Sequence, residues 1–510
     1  MEQKYIMAID QGTTGSTVLI LDVSEPKSPK IIGKKTVDFK QFYPKAGWVE
    51  HDLDEIWASV LKAKKAAISE AFGVQNDKLS QIIAIGITNQ RETTCIFERA
   101  TGKPLSKAIV WQDKRSQNIC ARLKPQEELF KEKTGLVLDP YFSGTKLTWL
   151  LENSPDLKTQ LVNGKAVFGT IDTFLLHRLT GGKEFATEPS NASRTLLFNI
   201  QEGKFDAQLS EILGVTHSEI LPEVKDSAGV FGKTKGVEGL PDGIPISGIL
   251  GDQQAALAGQ TCFSEGEAKC TYGTGAFMLL NTGSTPKKSH HGLLTTVAWS
   301  INNKLTYALE GSSFIAGAAV QFLRDQINFL EHAADSEKLA TNDAAAPELY
   351  FVPALAGLGA PYWNPQAKGA FFGLTRGTSK AELIRAALEG IAFSVADLYQ
   401  AMSRDFPSNS KSFKVDGGAA ANNKLMQFQS DILRLPIDRP RNLETTALGA
   451  ALFAGLGIGL YSSLEELRGA RHTDQVFTPK VSNELHMLQI QGWQRAIKAV
   501  QVFAGDDSAS

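Results

Sequence analysis

A glycine–threonine turn between two short apolar stretches occurs twice in this sequence, about half a chain apart, and it limits the folds available to the chain. The first copy has apolar stretches at residues 5–9 and 18–23, separated by a polar turn at residues 10–16. The second copy begins at Cys270. Each copy predicts a β-hairpin. A repeat at this separation indicates two related domains, although glycine–threonine turns are also common in unrelated proteins.

The length of the chain also favours two domains. Its 510 residues exceed the roughly 250–300 residues at which a single hydrophobic core stops growing. An apolar stretch at residues 82–87 alternates with helical patterns at residues 55–71 and 145–151, which is typical of an α/β fold. We therefore predict an α/β protein with one domain at residues 1–258 and another at residues 259–510.

Composition and charge argue against several classes of function. The formal net charge of −2 creates no strong field toward nucleic acid or an anionic membrane. The longest uncharged apolar run, at residues 447–461, is shorter than the ~20 residues of a membrane span, so it predicts a buried helix and no membrane insertion. We expect no signal peptide. The cysteines are far apart and form no C-x-x-C pair, which predicts reduced thiols in a cytoplasmic protein; they are Cys95, Cys120, Cys262 and Cys270.

The first glycine–threonine turn is a candidate phosphate site. Its glycines let backbone N–H groups approach a polyphosphate, and its hydroxyl groups add further donors. Asp10 stands at the end of the preceding apolar stretch, where a carboxylate can hold a divalent cation. The same residue types also favour an ordinary hairpin turn, so the turn alone leaves both interpretations open.

Two other strand ends carry candidate functional residues. Gly251 and Asp252 follow the apolar stretch at residues 244–250 and precede a run of small residues. Asp252 is then either a helix N-cap or a base that accepts a proton from an attacking hydroxyl group. Residues 416–418 also end an apolar stretch, and their two glycines suit either tight strand–helix packing or close contact with a nucleotide.

A charged pair, Arg91 and Glu92, follows the predicted strand at residues 82–87. Because arginine donates and glutamate accepts hydrogen bonds, the pair suits an uncharged polyol; the alternative is a solvated surface ion pair. The sequence has no G-x-x-x-x-G-K-[ST] phosphate loop and no H-R-D with D-F-G combination. P-loop enzymes and protein kinases are therefore excluded.

Taken together, these motifs resemble the actin-like ATPase superfamily, in which a D-x-G-T-T hairpin opens the first domain and a D-G-G-A turn serves the second. Within that superfamily the chain is similar to the FGGY carbohydrate kinases, on residues 141–150 and 369–389. Further segments resemble the family members that phosphorylate glycerol, and the similarity extends from about residue 4 to residue 495. These segments are residues 47–52, 86–94, 191–195, 246–257 and 357–363.

The resemblance implies transfer of the γ-phosphate of ATP to glycerol, with Mg²⁺ as cofactor, in a cleft between two actin-like (ribonuclease H-like) domains. It makes Asp252 the catalytic base and Asp10 the residue that positions Mg²⁺. The residues implied for glycerol binding are Arg91, Glu92, Trp111, Tyr141, Asp252, Gln253 and Phe277. The residues implied for nucleotide binding are Thr13, Thr14, Gly15, Thr17, Thr274, Gly317, Gln321, Gly418 and Asn422. A homodimer or homotetramer is also implied.

The chain departs from the family pattern in its first turn. Gly15 stands where serine is usual, and Thr17 stands where arginine is frequent. The loss of a hydroxyl group and a cation is expected to weaken the phosphate site, while the backbone donors remain. Residues 233–243 lack the glycine–arginine loop linked to inhibition by sugar bisphosphates, so that regulation is not expected. Two alternatives stay open: an FGGY kinase for xylulose, erythritol or gluconate, and an actin-like ATPase that is not a kinase.

Overall fold

Strands and helices alternate along the chain in the computed structural model, which describes residues 3–73, 78–340, 348–407 and 412–505. The strands are β1 (Tyr5–Gln11), β2 (Gly15–Asp22), β3 (Lys30–Asp38), β4 (Gln41–Phe42), β5 (Glu50–His51), β6 (Ile82–Asn89), β7 (Cys95–Glu98), β8 (Ala108–Ile109), β9 (Ala166–Gly169), β10 (Ala186–Thr187), β11 (Phe198–Asn199), β12 (Lys204–Phe205), β13 (Glu223–Val224), β14 (Ala228–Lys233), β15 (Pro245–Gly251), β16 (Ala268–Tyr272), β17 (Ala276–Gly283), β18 (Leu294–Ile301), β19 (Lys304–Ser313), β20 (Tyr350–Val352), β21 (Ala370–Phe372), β22 (Phe413–Asp416), β23 (Ile437–Pro440) and β24 (Thr473–Phe477). The helices are α1 (Leu53–Phe72), α2 (Gln117–Leu123), α3 (Glu127–Thr134), α4 (Ser143–Asn153), α5 (Pro155–Val162), α6 (Ile171–Leu179), α7 (Pro189–Ala192), α8 (Ala207–Ile212), α9 (Asp252–Gly259), α10 (Gly317–Asp325), α11 (Asp335–Leu339), α12 (Lys380–Asp405), α13 (Asn423–Leu433), α14 (Thr445–Gly457), α15 (Leu464–Leu467) and α16 (Asn483–Phe503). The predicted α/β class is confirmed.

The first large sheet contains six strands in the order β14-β15-β6-β1-β2-β3. β1 and β2 form the predicted antiparallel hairpin, in which Asp10 lies opposite Thr17. β6 runs parallel to β1, and β15 runs parallel to β6. Because parallel strands end at the same edge of a sheet, the hairpin turn, the Arg91–Glu92 pair and Asp252 all lie along one edge, where ligands of open α/β sheets usually bind.

The first sheet is packed between helices from both halves of the chain. Along β1, successive side chains point to opposite faces: Tyr5 and Met7 pack in one cluster with α1, and Ile6 and Ala8 pack in another with α14. Most residues of α14 are buried. The predicted buried helix is therefore confirmed up to Gly457, whereas residues 458–461 lie beyond its end. This helix completes the core of a sheet formed by the N-terminal half.

The second large sheet repeats the arrangement of the first. Its seven strands follow the order β18-β19-β17-β16-β22-β23-β24. β16 and β17 form an antiparallel hairpin, and β22 runs parallel to β16. The turn of this hairpin and the two glycines after β22 therefore lie at the same edge of the sheet. The hairpin predicted from the repeat at Cys270 is confirmed, and a parallel strand accompanies it as in the first sheet.

Helices α9 and α14 touch through their backbones. A Cβ atom on Gly259 would lie 1.9 Å from the Thr445 carbonyl oxygen, and one on Gly449 would lie 1.9 Å from the Ala255 carbonyl oxygen. No larger residue fits at either contact without moving a helix. These contacts join the two halves of the chain closely. The domain boundary between residues 258 and 259 stays a prediction.

Two further sequence predictions concern the thiols and the apolar helices. All four cysteines fall in described segments, and each is buried and outside any disulfide bond. Burial raises the pKa of the Cys262 thiol to about 11, which keeps it in the less reactive thiol form. Among the helices in the described ranges, none has both the length and the apolar composition needed to cross a membrane.

Candidate active site

The charged pair after β6 lies buried beside the acid at the start of α9. Arg91 and Glu92 expose only 2% and 1% of their surface, which excludes the alternative of a solvated surface pair. The Nε atom of Arg91 lies 3.1 Å from Oδ1 of Asp252. Glu92 has a φ of 60°, a left-handed conformation that non-glycine residues seldom adopt and that surrounding contacts must maintain.

Asp252 has the surroundings of a proton acceptor. It is the first residue of α9, and Gly251 takes the N-cap position, so the N-cap alternative is wrong. Its Oδ1 atom accepts a hydrogen bond of 2.7 Å from the backbone N–H of Gln253. Burial raises the pKa of Asp252, although Arg91, the Gln253 N–H and Lys269 each oppose that change. Because its side chain keeps 29% of its surface exposed, a ligand can still reach this carboxylate.

Aromatic rings stand next to the charged pair. Trp111 meets Tyr141 edge-on, with 5.6 Å between ring centroids, and Phe277 in the same way at 6.3 Å. These contacts bring together side chains from distant parts of the sequence into an apolar wall. The indole Nε1 of Trp111 also donates a 2.9 Å hydrogen bond to Oγ1 of Thr13. The aromatic wall is thereby connected directly to the turn of the first hairpin.

The first hairpin turn holds its backbone firmly and leaves its side chains accessible. The Thr13 carbonyl oxygen accepts from Nε2 of Gln41 at 3.0 Å, and the Thr14 carbonyl oxygen accepts from the Phe39 N–H at 3.2 Å. Thr14 is exposed and Thr13 is half-buried. The turn therefore presents hydroxyl groups at the edge of the sheet, as a phosphate-binding turn requires.

The two departures from the family pattern have visible structural counterparts. A Cβ atom on Gly15 would lie 2.8 Å from Oδ1 of Asp38, so the Asp38 side chain occupies space that a serine at this position would need. Thr17 lies opposite Asp10 on the neighbouring strand, and its Oγ1 is 2.8 Å from Oγ1 of Thr36. The Thr17 hydroxyl group is therefore already engaged by β3.

Close glycine contacts bring the turns of the second sheet together. The Gly317 N–H donates to the Gly273 carbonyl oxygen at 2.9 Å. Gly417 has a φ of 86°, and a Cβ atom there would lie 2.6 Å from the Tyr272 carbonyl oxygen. Gly418 has open space around its Cα atom. Gly418 and Gly317 thus flank the end of β16, with room for a ligand at Gly418.

The other predicted nucleotide residues surround the same turns. The Thr274 carbonyl oxygen accepts from the Ala316 N–H at 2.8 Å, which fixes the turn against the start of α10. Gln321 lies exposed on α10. Asn422 is the N-cap of α13, and its Oδ1 accepts from the Leu425 N–H at 3.0 Å. The Asn422 side chain thus caps α13. Its role in nucleotide binding stays a prediction.

Two family models match this chain, one in each half. The model of the FGGY family of carbohydrate kinases, N-terminal domain, matches residues 5–259, and the model of its C-terminal domain matches residues 268–458. The chain belongs to the FGGY family of carbohydrate kinases. The resemblance inferred from the motifs is therefore confirmed.

Named relatives of this FGGY kinase match it over nearly its whole length. A glycerol kinase of Myxococcus xanthus is 51% identical over 499 residues, which cover 97% of this chain and 99% of the relative. A glycerol kinase of Staphylococcus haemolyticus is 48% identical, with 99% and 100% covered. The crystal structure of Plasmodium falciparum glycerol kinase with ADP superposes with a TM-score of 0.88 at 36% identity and covers 98% of each chain. The predicted fold, a two-domain FGGY kinase, is confirmed.

The Asp10 carboxylate of this FGGY kinase suits a divalent cation. Burial raises its pKa to about 8, and the nearby carboxylates of Asp252 and Glu444 add to the increase. A bound cation would offset the burial and the neighbouring carboxylates, and would thereby favour the ionised form of Asp10. In the described parts of the chain, no cluster of three or more acidic, histidine or cysteine side chains forms a complete metal site. A carboxylate at this position fits Mg²⁺, which usually takes one or two carboxylates together with water and substrate phosphates.

Three charged residues of the site were not predicted from the sequence. Glu310 accepts from Arg91 Nη1 at 2.6 Å and from Arg194 Nη2 at 3.0 Å, and Lys269 Nζ donates to Oε1 of Gln253 at 2.6 Å. Arg194 lies in one of the family-like segments, residues 191–195. The signal for Glu310 and Lys269 is a charged residue flanked by apolar residues within a predicted strand, because such side chains are seldom buried without a partner.

Proposed function

We propose that this chain is an ATP-dependent glycerol kinase that produces sn-glycerol 3-phosphate and ADP. The observation that carries the proposal is the buried Arg91–Glu92 pair, placed beside the accessible carboxylate of Asp252 and an aromatic wall. The names of the relatives that match over nearly the full length support the same substrate.

The shape of the site suits a small polyol. Glycerol has three hydroxyl groups and a thin edge of carbon atoms. Arg91 supplies donors and Glu92 supplies acceptors for neighbouring hydroxyl groups, and Gln253 adds an amide group. Trp111 and Phe277 would cover the carbon atoms, and a buried polar site that matches hydroxyl groups discriminates strongly against ligands that lack them.

Asp252 would act as the base. As the hydroxyl oxygen of glycerol attacks the γ-phosphorus atom, its proton passes to the Asp252 carboxylate, and the bond from the γ-phosphorus atom to the β–γ bridging oxygen breaks to release ADP. Arg91, 3.1 Å from Asp252, would keep the carboxylate oriented toward the substrate. The raised pKa of Asp252 makes it a better proton acceptor than an exposed aspartate.

The nucleotide would lie across the two hairpin turns. Thr13 and Thr14 would contact the phosphates from the first sheet, and the glycines near β16 and β22 would allow the adenosine to lie against the second. Mg²⁺, positioned by Asp10, would supply positive charge that neutralises the phosphates. Closure of the two halves would exclude water and limit hydrolysis of ATP without transfer.

The test is phosphate transfer with a panel of acceptors. The purified chain is incubated with ATP, Mg²⁺ and glycerol, erythritol, xylulose or gluconate, and ADP release is measured together with product identification by ³¹P NMR. We expect the highest kcat/KM with glycerol. Xylulose turnover above glycerol turnover would replace the proposed substrate, and ATP hydrolysis that responds to no polyol would favour an actin-like ATPase that is not a kinase.

The cellular setting and assembly are part of the proposal. The four buried, unpaired cysteines suit the reducing cytoplasm. The family resemblance supports a homodimer or homotetramer. Size-exclusion chromatography with light scattering tests the assembly, and a monomer at micromolar concentration would contradict it.

A further inference from the structure

Four buried charges form a closed cluster behind the polyol site, which we call the charge ring: Arg91, Glu92, Arg194 and Glu310. Arg91 Nη1 and Nη2 donate to Glu310 Oε2 and Oε1 at 2.6 and 2.9 Å. Arg194 Nη2 donates to the same Oε1 at 3.0 Å, and Arg194 Nε donates to Glu92 Oε1 at 2.7 Å. Arg91 Nε lies 3.8 Å from that Glu92 oxygen and closes the ring.

The charge ring is electrically balanced and almost fully buried. Each side chain exposes at most 2% of its surface. Two positive and two negative charges neutralise one another, which is how charges are tolerated in a protein interior. The two arginines hold the pKa of Glu310 at about 2 even though burial opposes this. Removing one member would leave an uncompensated buried charge.

The hydrogen bonds decide which atoms of Arg91 and Glu92 remain for a ligand. Both terminal nitrogens of Arg91 donate to Glu310, and Nη1 also donates to Oε1 of Gln254. Arg91 Nε has no aligned hydrogen bond within the described residues, although it faces Asp252. On Glu92, Oε1 is occupied by Arg194, whereas Oε2 is not engaged by any member of the ring. A guanidinium group is planar, so fixing one edge of Arg91 also fixes the direction of its Nε–H.

The residues that hold the pair come from elsewhere in the chain. Glu310 lies on β19 of the second sheet, between Leu279 on β17 and Leu294 on β18. Arg194 follows the short helix α7, whereas Arg91 and Glu92 follow β6 of the first sheet. The polyol site is therefore completed by a carboxylate from the C-terminal half.

We infer that Glu310 and Arg194 are positioning residues, which orient the Arg91 guanidinium group and the Glu92 carboxylate toward the polyol. This inference rests on the proposed function of the same site. Glu310 holds the far edge of Arg91, and Arg194 holds the far oxygen of Glu92. Neither residue takes part in the chemistry, and neither lies at the predicted nucleotide turns, so their loss affects binding of the polyol selectively.

The kinetic signature separates positioning from general structural support. Glu310→Gln is expected to raise the KM for glycerol about 10- to 100-fold, since a charge-assisted pair of hydrogen bonds is lost, while the KM for ATP stays unchanged. Glu310→Asp keeps the charge on a shorter side chain and should give an intermediate KM. Arg194→Lys keeps the charge but loses the planar fork, and it should also raise the KM for glycerol.

The experiment measures both KM values, the affinity for glycerol by calorimetry and the melting temperature for each variant. Glu389→Gln is the matched control, because Glu389 also pairs with an arginine, with Oε1 3.4 Å from Nε of Arg385, but is half-buried on α12 outside the site. It should leave both KM values unchanged. A polyol KM equal to that of the wild type in folded Glu310→Gln overturns the inference, as does an equal rise in both KM values. If Glu310→Gln does not fold, unchanged polyol KM values in Glu310→Asp and Arg194→Lys overturn it.

The proposed function fails by a different result. A wild-type chain that phosphorylates none of the polyols would overturn the function itself. If the wild type prefers another polyol, the variants are measured with that polyol, because the ring acts on the Arg91–Glu92 pair whichever polyol it binds. An active wild type with insensitive ring variants would overturn the positioning role alone.

Discussion

Replacement of Asp252 by asparagine would test the proposed chemistry most directly. The two side chains have nearly the same shape, and the asparagine oxygen can still accept from the Gln253 N–H, which lies 2.7 Å from Oδ1. Arg91 loses its contact with a charge at 3.1 Å but keeps both hydrogen bonds to Glu310. The polyol pair should therefore stay in place, and the main loss is the ability to accept a proton.

The expected size of the effect follows from the loss of proton acceptance without displacement of the polyol pair. Loss of a general base typically lowers turnover by roughly 100- to 10,000-fold, which corresponds to about 2.7 to 5.5 kcal/mol of activation free energy. Because the hydrogen bonds that hold Arg91 and Glu92 are retained, the KM for glycerol should change much less than kcat. A change confined to kcat indicates an interaction made only in the transition state.

The assay is coupled ADP release at saturating ATP, with glycerol varied. Asp172→Asn provides a matched control, since Asp172 is a fully buried aspartate held by Thr170 and Thr187 outside the site. Wild-type kcat in Asp252→Asn would remove this residue from the role of base. A raised KM with unchanged kcat would instead assign it to binding alone.

Three further predictions concern coupling, packing and pH. Trp111→Phe keeps an aromatic ring but removes the hydrogen bond to Thr13, so the KM for ATP should rise by about 2- to 10-fold. Trp57→Phe is the control. An unchanged KM for ATP in Trp111→Phe would refute the coupling of the polyol and nucleotide sites. Gly86→Ala places a Cβ atom 2.2 Å from the Ala450 carbonyl oxygen, so it should lower the free energy of unfolding by about 1–3 kcal/mol, measured by urea unfolding. The control Gly229→Ala should be neutral, because nothing lies within 4 Å of its added Cβ atom. Equal stability of the two variants would contradict the close packing of β6 on α14. Burial lowers the pKa of His51 from 6.5 to about 4. As the pH falls, His51 is therefore protonated in the unfolded chain before it is protonated in the folded one. The free energy of unfolding should then decline between pH 6.5 and pH 4 by up to about 3 kcal/mol. Melting curves of His51→Gln should show a smaller decline in this window, and an unchanged decline would assign it to other groups.

The confirmed sequence-based predictions depended on local patterns of apolar and polar residues. The hairpin β1–β2 and the strand β6 are visible as short apolar runs bounded by polar turns, because strand and turn formation depend on neighbouring residues. Asp252 could be singled out for the same reason, since it stands between a buried strand and a helix. The family resemblance then connected Trp111 and Tyr141 to the site, although no local pattern places either side chain there.

The rest of the site depends on distant contacts. Glu310 is separated from Arg91 by 219 positions, and Arg194 from Glu92 by 102. Periodicity shows that a strand residue is buried but not which side chain it faces. The hydrogen bond from Trp111 to Thr13, separated by 98 positions, is equally invisible, although both residues were named as candidates.

The sequence by itself determined the two hairpins, the strand ends that carry the reactive groups, and the family of the chain. Tertiary structure alone decided how the charges at those ends are neutralised and which of their atoms remain open to a ligand. The physical reason is that a buried charge is stable only beside an opposite charge. In this protein the opposite charges are supplied by strands and helices that meet only after the two sheets have packed together.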